Sequence, residues 1–400
     1  MEGKRFIHKI KLTNFLSYGS EGEEIELQPL NVLIGRNSAG KSNLIEAISI
    51  LKATPIDLPA PFRQGGGINE FLWKGERSNS IANIDIILNY SERHEKDLHY
   101  QLSLTEVGQR LELVDEFLEN EQPYEGQEDV YFYYRYQNGH PVLNINKLTQ
   151  DGKRFERNLR REDLILDQSV LSQRKDPDLY PELSYVSTEF SKIGLYRNWQ
   201  MGRSSEPRNA QKVDLPQHPL LEDGSNLGLV LNNLKYQLGS RKINDWLTKF
   251  YEEAEELDAR LYGGTVQIFI REKDLPQPIP ATRLSDGTLR YLFLMALLLD
   301  PTPPPLICIE EPEIGLHPDI LPTIAEMLIE ASGRTQLIVT THSDSLVSAL
   351  SQYPESVVVC ERDDTGTHLR RLEPDKLKDW LENYTLGDLW RMGEIGGNRW

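Results

Sequence analysis

Gly35-Arg36-Asn37-Ser38-Ala39-Gly40-Lys41-Ser42 is the stretch on which the reading of this chain turns. Just before it, Asn31-Val32-Leu33-Ile34 is a short apolar run of strand type. Just after it, Leu44, Ile45, Ile48 and Leu51 recur at helical spacing until Pro55 closes the segment. The eight residues fit G-x-x-x-x-G-K-[ST] between a strand and a helix, the context in which that pattern has a mechanism. Its glycines let backbone N–H groups curl around phosphate, and the helix start adds partial positive charge. The candidate nucleotide contacts are therefore Gly35, Asn37, Ser38, Ala39, Gly40, Lys41, Ser42 and Asn43. Lys41 is expected to reach the β- and γ-phosphates, and Ser42 to bind Mg²⁺.

Three later stretches complement this cradle. Leu306-Ile307-Cys308-Ile309-Glu310-Glu311-Pro312-Glu313 reads as a buried strand delivering carboxylates at its C-terminal end, where α/β sheets place ligands. Glu310 is expected to hold Mg²⁺ through water, and Glu311 to polarise an attacking water. Leu337-Ile338-Val339-Thr340-Thr341-His342 is a second buried strand, ending in a histidine that can contact a terminal phosphate. Ser285, within Leu284-Ser285-Asp286-Gly287-Thr288, stands before an apolar helix over Leu289 to Leu299. It is either a plain N-cap or part of a second anion site with Gly287.

Short aliphatic strands alternating with helices over residues 1–60 and 265–400 predict one α/β core, split in sequence, around a mostly parallel sheet. Residues 61–150 read as an antiparallel β lobe, with alternating or aromatic runs at 81–90, 98–104 and 131–136. Residues 151–264 read as a mainly helical insert, including an amphipathic helix over Asp245 to Leu261. Neither an internal repeat nor sustained heptads are present, which excludes a long coiled coil.

Composition narrows the class. The 400 residues carry 44 basic against 62 acidic side chains, a formal net charge of -18, so nucleic acid could be held only by a local patch. Candidate patches are Lys153, Arg154, Arg157, Arg160 and Arg161, or Arg197, Arg203 and Arg208; the alternative is a solvated helix face. No window approaches a membrane span and the first residues lack a secretion signal, so the expected compartment is the cytoplasm. Cys308 and Cys360 lie in apolar runs and are expected to be reduced, buried strand residues, and the eight histidines lack zinc spacing.

Taken in order, Asn14-Phe15-Leu16-Ser17, the glycine-rich loop, Leu-Ser-Asp-Gly, Ile-Glu-Glu-Pro-Glu and Thr-Thr-His resemble the head of an ABC-type ATPase of the RecF/SMC-like group. The nearest branch is that of overcoming-lysogenization-defect (OLD) ATPases, although the match covers somewhat under half the chain. The resemblance implies that Ser285 and Gly287 of one subunit close over ATP held by another, giving a head-to-tail homodimer. It implies catalytic roles for Lys41, Glu311 and His342 and Mg²⁺ at Ser42 and Glu310. Departures are Glu310 where aspartate is usual, and Gly315-Leu316-His317-Pro318 where an aspartate is common. His317 either replaces that inter-subunit contact or is a turn residue, and Gln200 is a candidate for the usual magnesium-contacting glutamine.

OLD nucleases carry a TOPRIM nuclease after the ATPase, whereas fewer than sixty residues follow His342; Glu361, Asp363 and Asp364 sit at a hairpin turn rather than in a metal site. The expected function is an ATPase subunit controlling a separately encoded effector, a nuclease by resemblance, in prokaryotic anti-phage defence. A RecF-like DNA-repair ATPase is the alternative, and a transporter ATP-binding subunit a more remote one. The tail from Gly387 to Trp400, apolar and aromatic, either docks a partner or packs on its own head.

Overall fold

The computed structural model describes residues 3–75, 81–90, 96–137, 140–148, 154–158, 164–197 and 199–397. At its centre a six-stranded sheet runs Gly194–Tyr196, Leu306–Glu310, Gln336–Thr340, Leu30–Gly35, Val357–Arg362, Thr367–Arg371. The first five are parallel neighbours, and the last folds back as a hairpin. The strands read as continuous aliphatics because both faces are covered. Leu33, Cys308, Ile338, Val358 and Cys360 share one core with Leu44, Ile45 and Ile48 of the helix Lys41–Ala53. Val32, Ile34, Ile307, Ile309, Leu337 and Val339 share the other with the helices Asp286–Leu298 and Leu321–Ser332. Both cysteines are free, fully buried thiols of this sheet.

Register then fixes the site. Glu310 pairs with Thr340, and Thr340 with Leu33. The carboxylates, the His342 turn and the glycine-rich loop therefore leave three adjacent strands at the same, C-terminal edge.

A second, antiparallel sheet of eight strands among the described residues begins with Glu23–Glu26 and Ile7–Thr13 and continues through Ala82–Leu88 to Arg154–Asn158. Ile7–Thr13 pairs with Ala82–Leu88. The division drawn at residue 60 thus separates in sequence what one sheet joins, and strand pairing also carries that sheet past residue 150. The charged strand Arg110–Asn120, which composition does not announce, is held between two neighbours of this sheet.

The expected helix over Asp245 to Leu261 is corrected. A helix occupies Ser240–Phe250, and Ala254–Tyr262 is a strand paired with Thr265–Glu272. Glu-rich sequence favours helix locally, but Gly263 and Gly264, with φ of 57° and 82°, close a tight hairpin and the ladder prevails. The insert is accordingly mixed rather than mainly helical, since Gly194–Tyr196 also joins the central sheet.

The tail packs on its own head. The helix Leu386–Met392 crosses Asp344–Ala349 so closely that a Cβ on Gly387 would lie 2.2 Å from Ser348 Oγ. Beyond it, Gly397 N donates to Glu361 Oε1 at 3.0 Å and Arg370 Nη2 to the Ile395 carbonyl at 2.7 Å. Asn398, Arg399 and Trp400 lie outside the described residues.

Candidate functional site

Ser38 and Gly40 take positive φ, 67° and 99°, and Gly35 sits at 145°, where a Cβ would meet the Cys360 carbonyl at 2.3 Å. This curls successive N–H groups into one concavity at the start of the helix Lys41–Ala53, a nest suited to phosphate. The loop is braced from behind by the Asn14-to-Ser17 turn and the distant hairpin. Tyr18 Oη donates to the Gly40 carbonyl, Asn43 Nδ2 to Ser17 Oγ, and Thr367 Oγ1 to the Ala39 carbonyl. Asn43 is thereby directed at the brace in this structure.

Lys41 is 6% exposed and its Nζ donates to the carbonyls of Gly35 and Arg36 at 2.8 and 2.9 Å. Burial lowers its pKa, opposed chiefly by Cys360 and Glu311. An ammonium held over its own loop is a donor ready to exchange carbonyls for phosphate oxygens.

Across the cradle, Ser42 lies near enough to the Glu310 carboxylate to help lower its pKa. A hydroxyl and a carboxylate side by side are two hard oxygen donors of the kind Mg²⁺ takes alongside substrate phosphates and water. Groups of three or more His, Cys, Asp or Glu side chains placed to hold a metal ion are absent among the described residues. Glu310 is pushed up by burial and held down by Arg197.

Glu311 adopts φ 47°, strained for a side chain of this size, while its N–H donates to the Thr340 carbonyl at 3.0 Å. The strain turns its carboxylate toward His342, whose Nε2 lies 3.6 Å from Glu311 Oε1. Burial, then Lys41, lowers the His342 pKa, so the imidazole is neutral at pH 7. Lys41, Ser42, Glu310, Glu311 and His342 thus lie together at one edge of the sheet.

Ser285 Oγ accepts from Thr288 N at 3.0 Å as a true N-cap of Asp286–Leu298, and a Cβ on Gly287 would meet the Gly315 carbonyl at 2.9 Å. No hydrogen bond among the described residues joins either to the glycine-rich loop. His317 is exposed and caps the short turn Pro318–Ile320.

Two arginines offered as nucleic-acid contacts are corrected. Arg208 is 7% exposed and donates to the carbonyls of Leu284, Ala281 and Met201 and to Asp286, holding the signature loop from beneath. Arg197 pairs with Glu46 and faces Glu310. Arg203 is exposed, and Gln200 is an exposed residue lining the same cleft as Glu46 and Arg197. Of the other cluster, Lys153, Arg160 and Arg161 lie outside the described residues, and Arg154 and Arg157 fall in the last strand of the antiparallel sheet. The Glu361-to-Asp364 segment forms the hairpin turn expected, with Asp363 Oδ1 accepting from Thr365 N.

Two residues escaped the sequence reading. Glu313 Oε1 accepts from Thr341 Oγ1 and His342 N, both at 2.7 Å, clamping the histidine turn to the carboxylate strand. Arg290 is 4% exposed, donates through Nη1 to the Ile314 carbonyl and stacks 4.6 Å over Trp199. Burial lowers it to about 10. A lone charge inside the apolar helix after Ser285 was the available signal.

A family model described as "AAA domain, putative AbiEii toxin, Type IV TA system" matches residues 30–348. The Old nuclease of Escherichia phage P2 is 28% identical over 156 residues, 35% of this chain. The match spans only 26% of that nuclease. An SMC head bound to the C-winged helix domain of ScpA superposes with a TM-score of 0.57 at 15% identity, over 93% of this chain and 99% of that one. An SMC head with an extended coiled coil, bound to the C-terminal domain of ScpA derived from Pyrococcus furiosus, gives 0.56 at 14%, over 94% and 98%. At those identities the likeness is one of fold, the ABC-type P-loop ATPase head that the motif order predicts.

Proposed function

We propose, from the premise that this chain belongs to the family described as "AAA domain, putative AbiEii toxin, Type IV TA system", that it binds ATP with Mg²⁺, closes as a homodimer on it and hydrolyses it to switch an effector. The observation that carries this reading is the convergence of Lys41, the Ser42–Glu310 pair and the Glu311–His342 pair on one sheet edge. Lys41 leaves its two carbonyls for the β- and γ-phosphates, and the loop N–H groups take the remaining phosphate oxygens. Mg²⁺, held by Ser42 and by Glu310 through water, would neutralise charge on those oxygens. Glu311 orients the attacking water and takes its proton, and neutral His342 donates a hydrogen bond to the γ-phosphate.

Ser285 and Gly287, which no hydrogen bond among the described residues ties to this chain's own glycine-rich loop, are read as a second anion site offered to a partner's nucleotide. The effector is read as a nuclease in anti-phage defence, because a relative in sequence is named a nuclease. The internal roles of Arg197 and Arg208 take from the DNA-repair alternative two of its proposed contacts. No helix among the described residues is long and apolar enough to cross a membrane.

The test is ATP binding and turnover in two variants. Lys41→Ala should lose ATP binding by at least about a hundredfold, two or more charge-assisted contacts being removed. Glu311→Gln should keep ATP affinity, lose turnover by roughly a hundredfold or more and accumulate as a dimer on ATP. Wild-type turnover in Glu311→Gln would refute the assignment of the base.

A further inference from the structure

Arg197 leaves the edge strand Gly194–Tyr196 at the ligand end of the parallel sheet. Tyr196 pairs with Ile309, so Arg197 emerges beside Glu310. Its Nη1 donates to Glu46 Oε2 at 2.5 Å and its Nε lies 3.9 Å from Glu310 Oε1. Nε and Nη2 are both buried and make no hydrogen bond. Glu46 is one helical turn beyond Ser42, and Ser42 is a neighbour of the Glu310 carboxylate. Guanidinium, hydroxyl and two carboxylates are therefore neighbours beside the glycine-rich loop. The following loop is pinned there, since Trp199 Nε1 donates to the Glu310 carbonyl at 2.6 Å.

The ion pair with Glu46 accounts for one edge of this guanidinium, and the other faces Glu310 at 3.9 Å without a hydrogen bond. Buried N–H groups without acceptors are costly, and the cost is recovered only when an acceptor arrives. A planar fork with two idle donors matches an oxyanion that presents more than one oxygen, and the oxyanion adjacent to Ser42 and Glu310 is the terminal phosphate of a bound nucleotide.

We propose that Arg197 is the residue by which this site distinguishes a nucleoside triphosphate from a diphosphate, its idle edge hydrogen-bonding the γ-phosphate while Glu46 retains Nη1. The assignment rests on the ATP reading above and deepens it. Arg197 is here a binding residue, and proton transfer remains with Glu311.

Affinities for ADP and for a non-hydrolysable ATP analogue, measured by calorimetry in excess Mg²⁺, test it in the full chain. In Arg197→Gln the analogue should bind about 10- to 100-fold more weakly, the factor for one or two charge-assisted hydrogen bonds, with ADP within about twofold of wild type. Arg197→Lys keeps the charge but not the fork and should fall between the two. An equal loss for both nucleotides, as a purely structural ion pair would give, overturns the assignment, and so does an unchanged ratio. Wild-type protein that binds neither nucleotide refutes the ATP reading and this inference together; binding of both with an unchanged ratio in Arg197→Gln refutes Arg197 alone.

Discussion

At Gly40 the backbone has φ 99°, and an added Cβ would come within 2.3 Å of Thr367 Oγ1 and 2.7 Å of Ser17 Oγ. The motif glycine is therefore required twice, by the nest it forms and by the brace packed behind it. Lys41, Ser42 and Glu311 were legible because their chemistry is local: a lysine after a glycine turn, or a carboxylate at the end of an aliphatic strand, states its use in sequence. Glu313 was not, because its partners Thr341 and His342 lie 28 and 29 residues away and only strand pairing brings them together. Its role is testable. Glu313→Ala should release the His342 turn and lower turnover about tenfold or more while ATP affinity stays within about threefold, if the hydrogen bond proposed from the imidazole to the γ-phosphate acts mainly in the transition state. A matching loss in affinity and turnover would assign Glu313 to ground-state binding instead.

Among elements, the strand Arg110–Asn120 shows tertiary context overriding composition. Its Glu116 is 1% exposed and accepts from Tyr100 Oη at 2.8 Å, from Ser169 Oγ and from Val170 N at 2.9 Å. It thus ties the antiparallel sheet to the start of the short helix Val170–Gln173. Burial pushes this carboxyl from 4.5 up to about 7. A group whose folded pKa is raised contributes stability that is full below the unfolded value and lost as pH rises through the folded one. Wild-type protein should therefore gain stability relative to Glu116→Gln as pH falls from about 7 to about 4.5, by up to about 3 kcal/mol. Melting temperatures of the two proteins across that window read the effect directly, and parallel curves would show that Glu116 titrates normally. The helix expected over Asp245 to Leu261 failed for the same kind of reason, since the strand's partner lies across Gly263-Gly264 and no local propensity reports it.

For the whole molecule, the proposal that Ser285 and Gly287 serve a partner's nucleotide makes the complete site a property of two copies. Ser285→Arg should leave ATP binding to the single chain intact while abolishing turnover. Mixed with Lys41→Ala, it should recover activity, because a heterodimer pairs the intact cradle of one chain with the intact signature of the other; the ceiling is roughly a quarter of wild type. Absence of recovery at equal subunit concentrations would count against a site shared between subunits. The sequence by itself determined the class of fold, the order of its parts and the anion site, because aliphatic strands, helical spacing and a glycine-rich turn act over a few residues each. The tertiary structure alone decided which strand each sheet keeps, that the tail lies on its own head, and that Arg197 faces Glu310 rather than solvent. These depend on pairings between residues far apart in the chain, such as Arg197 with Glu46 and Tyr18 with Gly40, whose partners no local pattern of charge or hydrophobicity encodes.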